Sequence, residues 1–447
     1  NYDYLMVTKN KVTDLLLLLS LFCYGLDSYS VLGIPVSWIG LVAIFTIAIM
    51  RDYKILLNFN LYFLLALFLA PSFINLLSLG IDGLNQNLLL RLFNIASFLV
   101  VIHFAMGYFK ANSNENFLNL LQKLILIFSI YAIYVYFAQI YDLPEVIRNR
   151  SNTGLLGDSL QTTFWQYEPH RAMGSFREPV LLSSMLLPLY LLYLFSAEKF
   201  NIVTVIVTSL AIGLTRSDLV RIYCFVLLVV LTINYFKRKM IHQAIYPILL
   251  ILLFSLIGIK ECDLNPQSED CITSNIKSSS IEAVIFTDIG ETLAIGSDRS
   301  NVVDYFIFSF KSLSPQGITN INSGFSNYLS QEIQQEMYFT NRSLPNYLLK
   351  RFEAKNFGTG NYSLLKNSPN VQNLFVNNTL SLGAPFVAIL FVIFMNLWIS
   401  EKKDLNFYIF LSILLFFFIT PIEEFNTFSA LIIGAGYNMI LKDKSNR

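Results

Sequence analysis

Of 447 residues, 55% are hydrophobic and 14% are charged, where an ordinary soluble domain has roughly a quarter charged. That balance excludes a water-soluble globule. The long unbroken apolar runs exclude spanning β-strands and leave helices, each needing about 20 apolar residues to cross a bilayer. The net charge of +1 points to no particular partner, nucleic acid included; only its distribution along the chain informs.

In chain order, hydropathy predicts spans near 12–30, 33–50, 58–80, 88–108, 118–141 and 179–197, then 200–215, 217–236, 243–259, 379–399, 405–420 and 426–441. About twelve transmembrane helices make this an all-α membrane protein. With the N-terminus inside, the inner connections hold Arg51, Lys54, Lys110, Lys199, Lys237, Arg238, Lys239, Lys402 and Lys403, and the tail holds Lys442, Lys444 and Arg447. The short outer connections 80–87 and 421–425 have no Lys or Arg. This satisfies the positive-inside rule with both termini in the cytoplasm.

The 12–30 segment has no small-residue cleavage site and reads as a first span rather than a signal peptide. Three regions follow. Residues 1–259 form an N-terminal transmembrane bundle of about nine spans with an outer loop at 142–178. Residues 260–370 form a large outer loop, and 371–447 carry the last spans. Cys262 and Cys271 sit in a polar run of that large loop, where an oxidising compartment favours a bridge over two free thiols. Cys23 and Cys224 fall within apolar spans, where packing is the expected role.

Two polar constellations interrupt this pattern. The first is His170–Pro179, HRAMGSFREP, which closes the 142–178 loop and opens the 179–197 span. Ionisable groups at such a boundary are costly unless they face a cavity, so they count as functional candidates. His170 reads either as a base or as a hydrogen-bonded neighbour of Arg171. Glu178 reads either as a base or as a helix-start carboxylate favoured by the dipole. Trp165, just upstream, reads as an interfacial anchor ahead of a sugar-stacking face.

The second constellation is GLTRSDLVR, 213–221. Asp218 and Arg221 are one helical turn apart and suit an ion pair. Arg216 lacks such a local partner, and its planar, permanently charged fork suits a phosphate. The 260–370 loop is too long for a plain connector. Its stretches 299–310 (RSNVVDYFIFSF) and 342–355 suggest short amphipathic helices in a lid. No HExxH, Walker A or GxSxG pattern occurs, and three histidines are too few for a His-rich metal site. His103 falls within a span, where packing or hydrogen bonding is expected.

In order, these pieces resemble the bacterial O-antigen polymerase and O-antigen ligase group of membrane glycosyltransferases. Arg171, Gly174, Phe176, Glu178 and Pro179 resemble the group's arginine-containing Gly-Phe-Glu-Pro motif. Thr215, Arg216 and Ser217 resemble its Thr-Arg-Ser motif. Arg299 to Gly317 is similar to its arginine-to-glycine stretch in a large periplasmic loop, and 372–385 (QNLFVNNTLSLGAP) to its loop exit. The resemblance covers roughly 165–390. Where ligases present a histidine before the loop-exit Asn, this chain has Gln372 before Asn373, which favours the polymerase branch.

The resemblance implies an inner-membrane enzyme with its site facing the periplasm. A growing glycan on undecaprenyl pyrophosphate would pass to an incoming lipid-linked repeat unit, without metal or cofactor and with a chain-length regulator as a further partner. Arg171 and Arg216 would stabilise the leaving pyrophosphate, with Glu178 as base. His170, Arg221, Arg299, Gln372 and Asn373 would bind substrate. The alternatives are a ligase of the same group and a lipid-linked oligosaccharide flippase or transporter. A flippase would place its charges near the bilayer midplane, whereas these map beside outer loops.

Overall fold

The computed structural model describes residues 2–67, 86–111, 114–141, 143, 144, 146, 171–197, 199–235, 242–257, 384–419 and 426–441. The described part is mostly helical. Its helices are α1 (Tyr2–Gly25), α2 (Val36–Arg51), α3 (59–67), α4 (Gln86–Ala111), α5 (Glu115–Ile140), α6 (Pro179–Ser196) and α7 (Ile202–Leu214). After them come α8 (Asp218–Tyr235), α9 (His242–Ile257), α10 (Ala384–Ser400), α11 (Leu405–Ile419) and α12 (Thr427–Leu441). Each apolar segment expected from the sequence contains one of them in whole or part. Three stretches, Phe93–Ala111, Glu115–Ala138 and Pro179–Ser196, are long and apolar enough to cross a membrane, and several shorter apolar helices accompany them. The 260–370 loop, with Arg299, Cys262 and Cys271, lies outside the described residues, as do His170, Trp165, Gln372 and Asn373.

Helix α6 is the axis. Pro179 starts it at the first helical position, where a missing N–H costs nothing. Leu182 through Leu194 are all buried. Hydrophobic on every side, it belongs in the interior, and α5, α7, α11 and α12 pack around it. Outside that ring α1 lies on α2 and α5, α7 on α9, and α12 along α4.

Apolar surface gains little from leaving lipid, so small residues and polar contacts fix the helix pairs. At Gly434 of α12 an added Cβ would meet the Ala105 Cβ of α4 at 2.5 Å, and nearby Asn438 Nδ2 donates to Met106 O at 2.7 Å. Gln122 Nε2 donates to Thr204 Oγ1 (3.1 Å) and Ser129 Oγ to Thr208 Oγ1 (3.2 Å), joining α5 to α7. Tyr190 and Ser209 hydroxyls share a bond of 3.0 Å across α6 and α7.

These contacts sort the helix ends into two groups. One end gathers residues 25–37, 171–178, 214–221 and 255. The other joins Asp14 of α1 to Tyr108 of α4 and Asn116 of α5, and Glu401 to Tyr437.

Two expectations need correction. The helix predicted to run to residue 30 stops at Gly25, and Ser30–Val31 pairs antiparallel with Ile34–Pro35. Leu32 and Gly33, both at positive φ (52° and 80°), make the tight turn, as a two-residue hairpin turn requires. Among the described residues the regular structure is helical apart from this hairpin. His103 is exposed on α4 instead of packed. Cys23 and Cys224 are free thiols, the second fully buried.

Candidate functional site

Residues 171–178 cross one end of the bundle as a strap, tied down on both sides. On one side Ala172 N donates to Leu214 O at 2.8 Å, and Arg171 Nε donates to Thr215 O, also at 2.8 Å. On the other side Ser28 N donates to Ser175 O at 2.9 Å, and Ser175 Oγ donates to Gly25 O at 2.5 Å. Arg177 Nε then reaches Asp27 Oδ2 at 2.9 Å. The other carboxylate oxygen of Asp27 accepts from Ser37 Oγ at 3.2 Å.

Backbone geometry explains why the strap lies so close. Gly174 has φ +54°, and a Cβ there would stand 3.1 Å from the Ala132 Cβ and 3.2 Å from its Cα. Glycine alone suits both the left-handed conformation and the approach to α5. The strap ends at Glu178, the extended residue preceding α6. Its side chain makes no capping bond, while its carbonyl accepts from Leu181 N and Leu182 N. The half-buried Glu178 carboxyl thus stands where the α6 dipole is positive.

Helix α7 terminates against this strap. Thr215 N donates to Ile212 O (3.2 Å) and Arg216 N to Gly213 O (3.0 Å), and Arg216 itself has φ +48°. That left-handed position after a helix is ordinarily filled by Gly or Asn. Ser217 follows, its carbonyl accepting the first helical bond of α8 from Arg221 N at 3.0 Å. Arg221 Nη2 donates to Ser255 O at 3.0 Å, clamping α8 to α9.

The structure therefore brings Arg171 and Arg216 to one corner: Arg171 bonds the carbonyl of the residue before Arg216. Glu178 lies at the far end of the same strap, and Arg221 one turn beyond Ser217. Arg221 has a backbone carbonyl for a partner; the Asp218 side chain, its expected partner, is outside the described residues. His170, Arg299, Gln372 and Asn373 are outside them too. The sequence reading missed Asp27, Ser28, Ser175 and Ser37. Asp27 carried a usable signal, an acid inside a predicted span, while the serines carried none.

No protein-family model, no curated protein and no solved structure matches this chain. What the corner does chemically follows from its own groups.

Several facts bear on that chemistry. The Arg171 Nε–H is spent on a backbone carbonyl, which fixes the plane of its guanidinium. Asp27 compensates Arg177, whose side chain is 26% exposed against 12% for Asp27. Ser217 Oγ and Ser28 Oγ, in residues only 2% exposed, find no hydrogen-bond partner among the described residues. A buried hydroxyl left so costs about 1–3 kcal/mol. Arginines brought to one corner, Arg171 and Arg216, suit an oxygen-rich anion. Among the described residues no three metal-ligating side chains cluster.

Proposed function

We propose that this chain is a membrane glycosyltransferase of the O-antigen polymerase type, multi-pass in the bacterial inner membrane with the strap end facing the periplasm. The observation that carries the reading is the docking of the Arg171 strap on the Arg216 turn. Two segments separated by a helical hairpin, each resembling one motif of that group, meet at one polar corner.

In the proposed reaction the acceptor sugar hydroxyl attacks the anomeric carbon of the glycan held on undecaprenyl pyrophosphate. The new C–O bond forms as the bond from that carbon to the phosphate oxygen breaks, and the electron pair leaves on the pyrophosphate. Arg171 and Arg216 stabilise the charge developing there; fixed donors aimed at such charge are the largest single contribution in many enzymes. The acceptor proton passes to Glu178 as general base. The fixed plane of Arg171 favours orientation, since little reorganisation is left for the moment of reaction. Arg221, clamped to Ser255 O, supports the α8–α9 wall.

Deleting the gene and resolving the cell's glycans on a gel tests the reading. Accumulation of a single repeat unit is expected, whereas free lipid-linked polymer would indicate ligation and cytoplasm-facing precursor a flippase. Arg216→Ala, present in the membrane at wild-type level, should slow chain extension by about 100-fold or more. Normal long ladders from that variant would overturn the leaving-group role. Glu178→Gln should lower turnover by a similar factor while donor binding persists.

A further inference from the structure

Helices α10 and α11 line a half-open groove of about 170 Å³, formed by residues that include Phe391, Met395, Trp398, Phe407 and Leu411. Its walls are almost entirely apolar, and its volume lies below the roughly 300–1,000 Å³ of pockets for drug-sized ligands. It suits part of one hydrocarbon chain. It also opens outward: Phe391 is 64% and Trp398 44% exposed.

The turn at its mouth, Glu401–Asp404, has no net charge, but the structure separates the signs. Glu401 Oε1 accepts from Tyr437 OH at 2.9 Å, and Asp404 Oδ1 accepts from Phe407 N at 2.9 Å. Both acids are half-buried and turned to the protein, while Lys402 and Lys403 are exposed. Lys403 Nζ stands 5.0 Å from the centre of the Trp398 ring, within cation–π range. A cation is thereby held at the rim of the apolar slot. An indole at such a rim marks the level of the lipid headgroups.

We infer that this is a binding site for an anionic glycerophospholipid, with an acyl chain in the α10–α11 groove and the phosphate on Lys402 and Lys403. Basic sites between membrane helices recognise anionic headgroups in this way. A neutral lipid would fill the slot but leave the lysines unanswered. The site lies at the end of the bundle opposite the strap, so it does not depend on the glycosyltransferase reading.

The test uses the full chain carrying Trp38→Phe and Trp165→Phe, which leaves Trp398 as the sole tryptophan. It is reconstituted in vesicles doped with dibrominated phosphatidylglycerol or dibrominated phosphatidylcholine. Bromine on the chains should quench Trp398 at least about threefold more effectively in phosphatidylglycerol. Lys402→Gln with Lys403→Gln should bring the two lipids level, while Lys54→Gln, an exposed lysine of a different turn, should leave the difference intact. Equal quenching in the parent protein overturns the proposal. So does a preference that survives loss of both lysines, or one that Lys54→Gln reduces equally, since diffuse charge would then explain it. If the tryptophan replacements prevent folding, native mass spectrometry of the unaltered chain from mixed-lipid nanodiscs gives the same decision. Phosphatidylglycerol retained above its bulk share, and lost in the double lysine variant, upholds the site; retention at bulk share removes it.

Discussion

Arg216 occupies a conformation that argues against its own presence. A non-glycine residue at φ +48° costs about 1–2 kcal/mol relative to the right-handed region, and glycine would carry no such penalty. Strain of this kind persists only where something else demands the side chain. If the demand is the chemistry of the corner, stability and function should separate there. Arg216→Gly should raise thermal stability in detergent by about 1 kcal/mol while abolishing chain extension. A glycine variant that is less stable than the parent would mean that the arginine is a structural ligand of the turn. The sequence pointed to Arg216 because no acid lies one helical turn from it. Its backbone state was not legible, since the usual marks of a left-handed helix end are Gly or Asn and Arg leaves no such mark.

Among the elements, the strap decides whether two motifs become one site. Its hold on the α7–α8 junction ends on backbone carbonyls, but its hold on α1 and α2 includes the Asp27–Arg177 pair, and that part can be tested by charge. Removing one partner of a fully buried pair costs about 3–5 kcal/mol. With Arg177 about a quarter exposed, roughly 2 kcal/mol is the expected loss in Asp27→Ala once solvent screening is allowed for. The exchange variant, Asp27→Arg with Arg177→Asp, should recover more than half of that loss and of the glycan ladder. Thermal unfolding and ladder length in the same cells check both. An exchange no better than the single change would show that the pair contributes through local packing and not through charge. At this scale most helix ends among the described residues were legible within a few residues, because apolar runs are long and their ends carry charges, although α1 begins at Tyr2, well before the predicted span. The hairpin after Gly25 was not. Its turn residues, Leu32 and Gly33, lack the Asn-Gly or Asp-Gly signal, and the surrounding residues are apolar enough to pass for helix.

For the molecule as a whole, neighbour pairing was the least legible property. Nothing periodic in the sequence joins α12 to α4; a glycine at 434 and an asparagine at 438 do so, and isolated small or polar residues of this kind do not reveal their partners. Sidedness is a different case, because Lys and Arg counts and helix contacts bear on it independently. The contacts place the hairpin at 30–35 with the strap, and the Lys402–Lys403 turn with the opposite group of helix ends. If the strap end faces the periplasm, a membrane-impermeant maleimide should reach a cysteine at position 32, where Leu32 is 98% exposed, in cells with only the outer membrane opened. A cysteine replacing Lys402 should react only once the inner membrane is broken. Both variants are made after replacing the four native cysteines with serine. The reverse pattern would put the arginine corner in the cytoplasm and remove the periplasmic polymerase. Labelling of both positions from one side would mean that an odd number of the predicted spans between residues 32 and 402 do not cross.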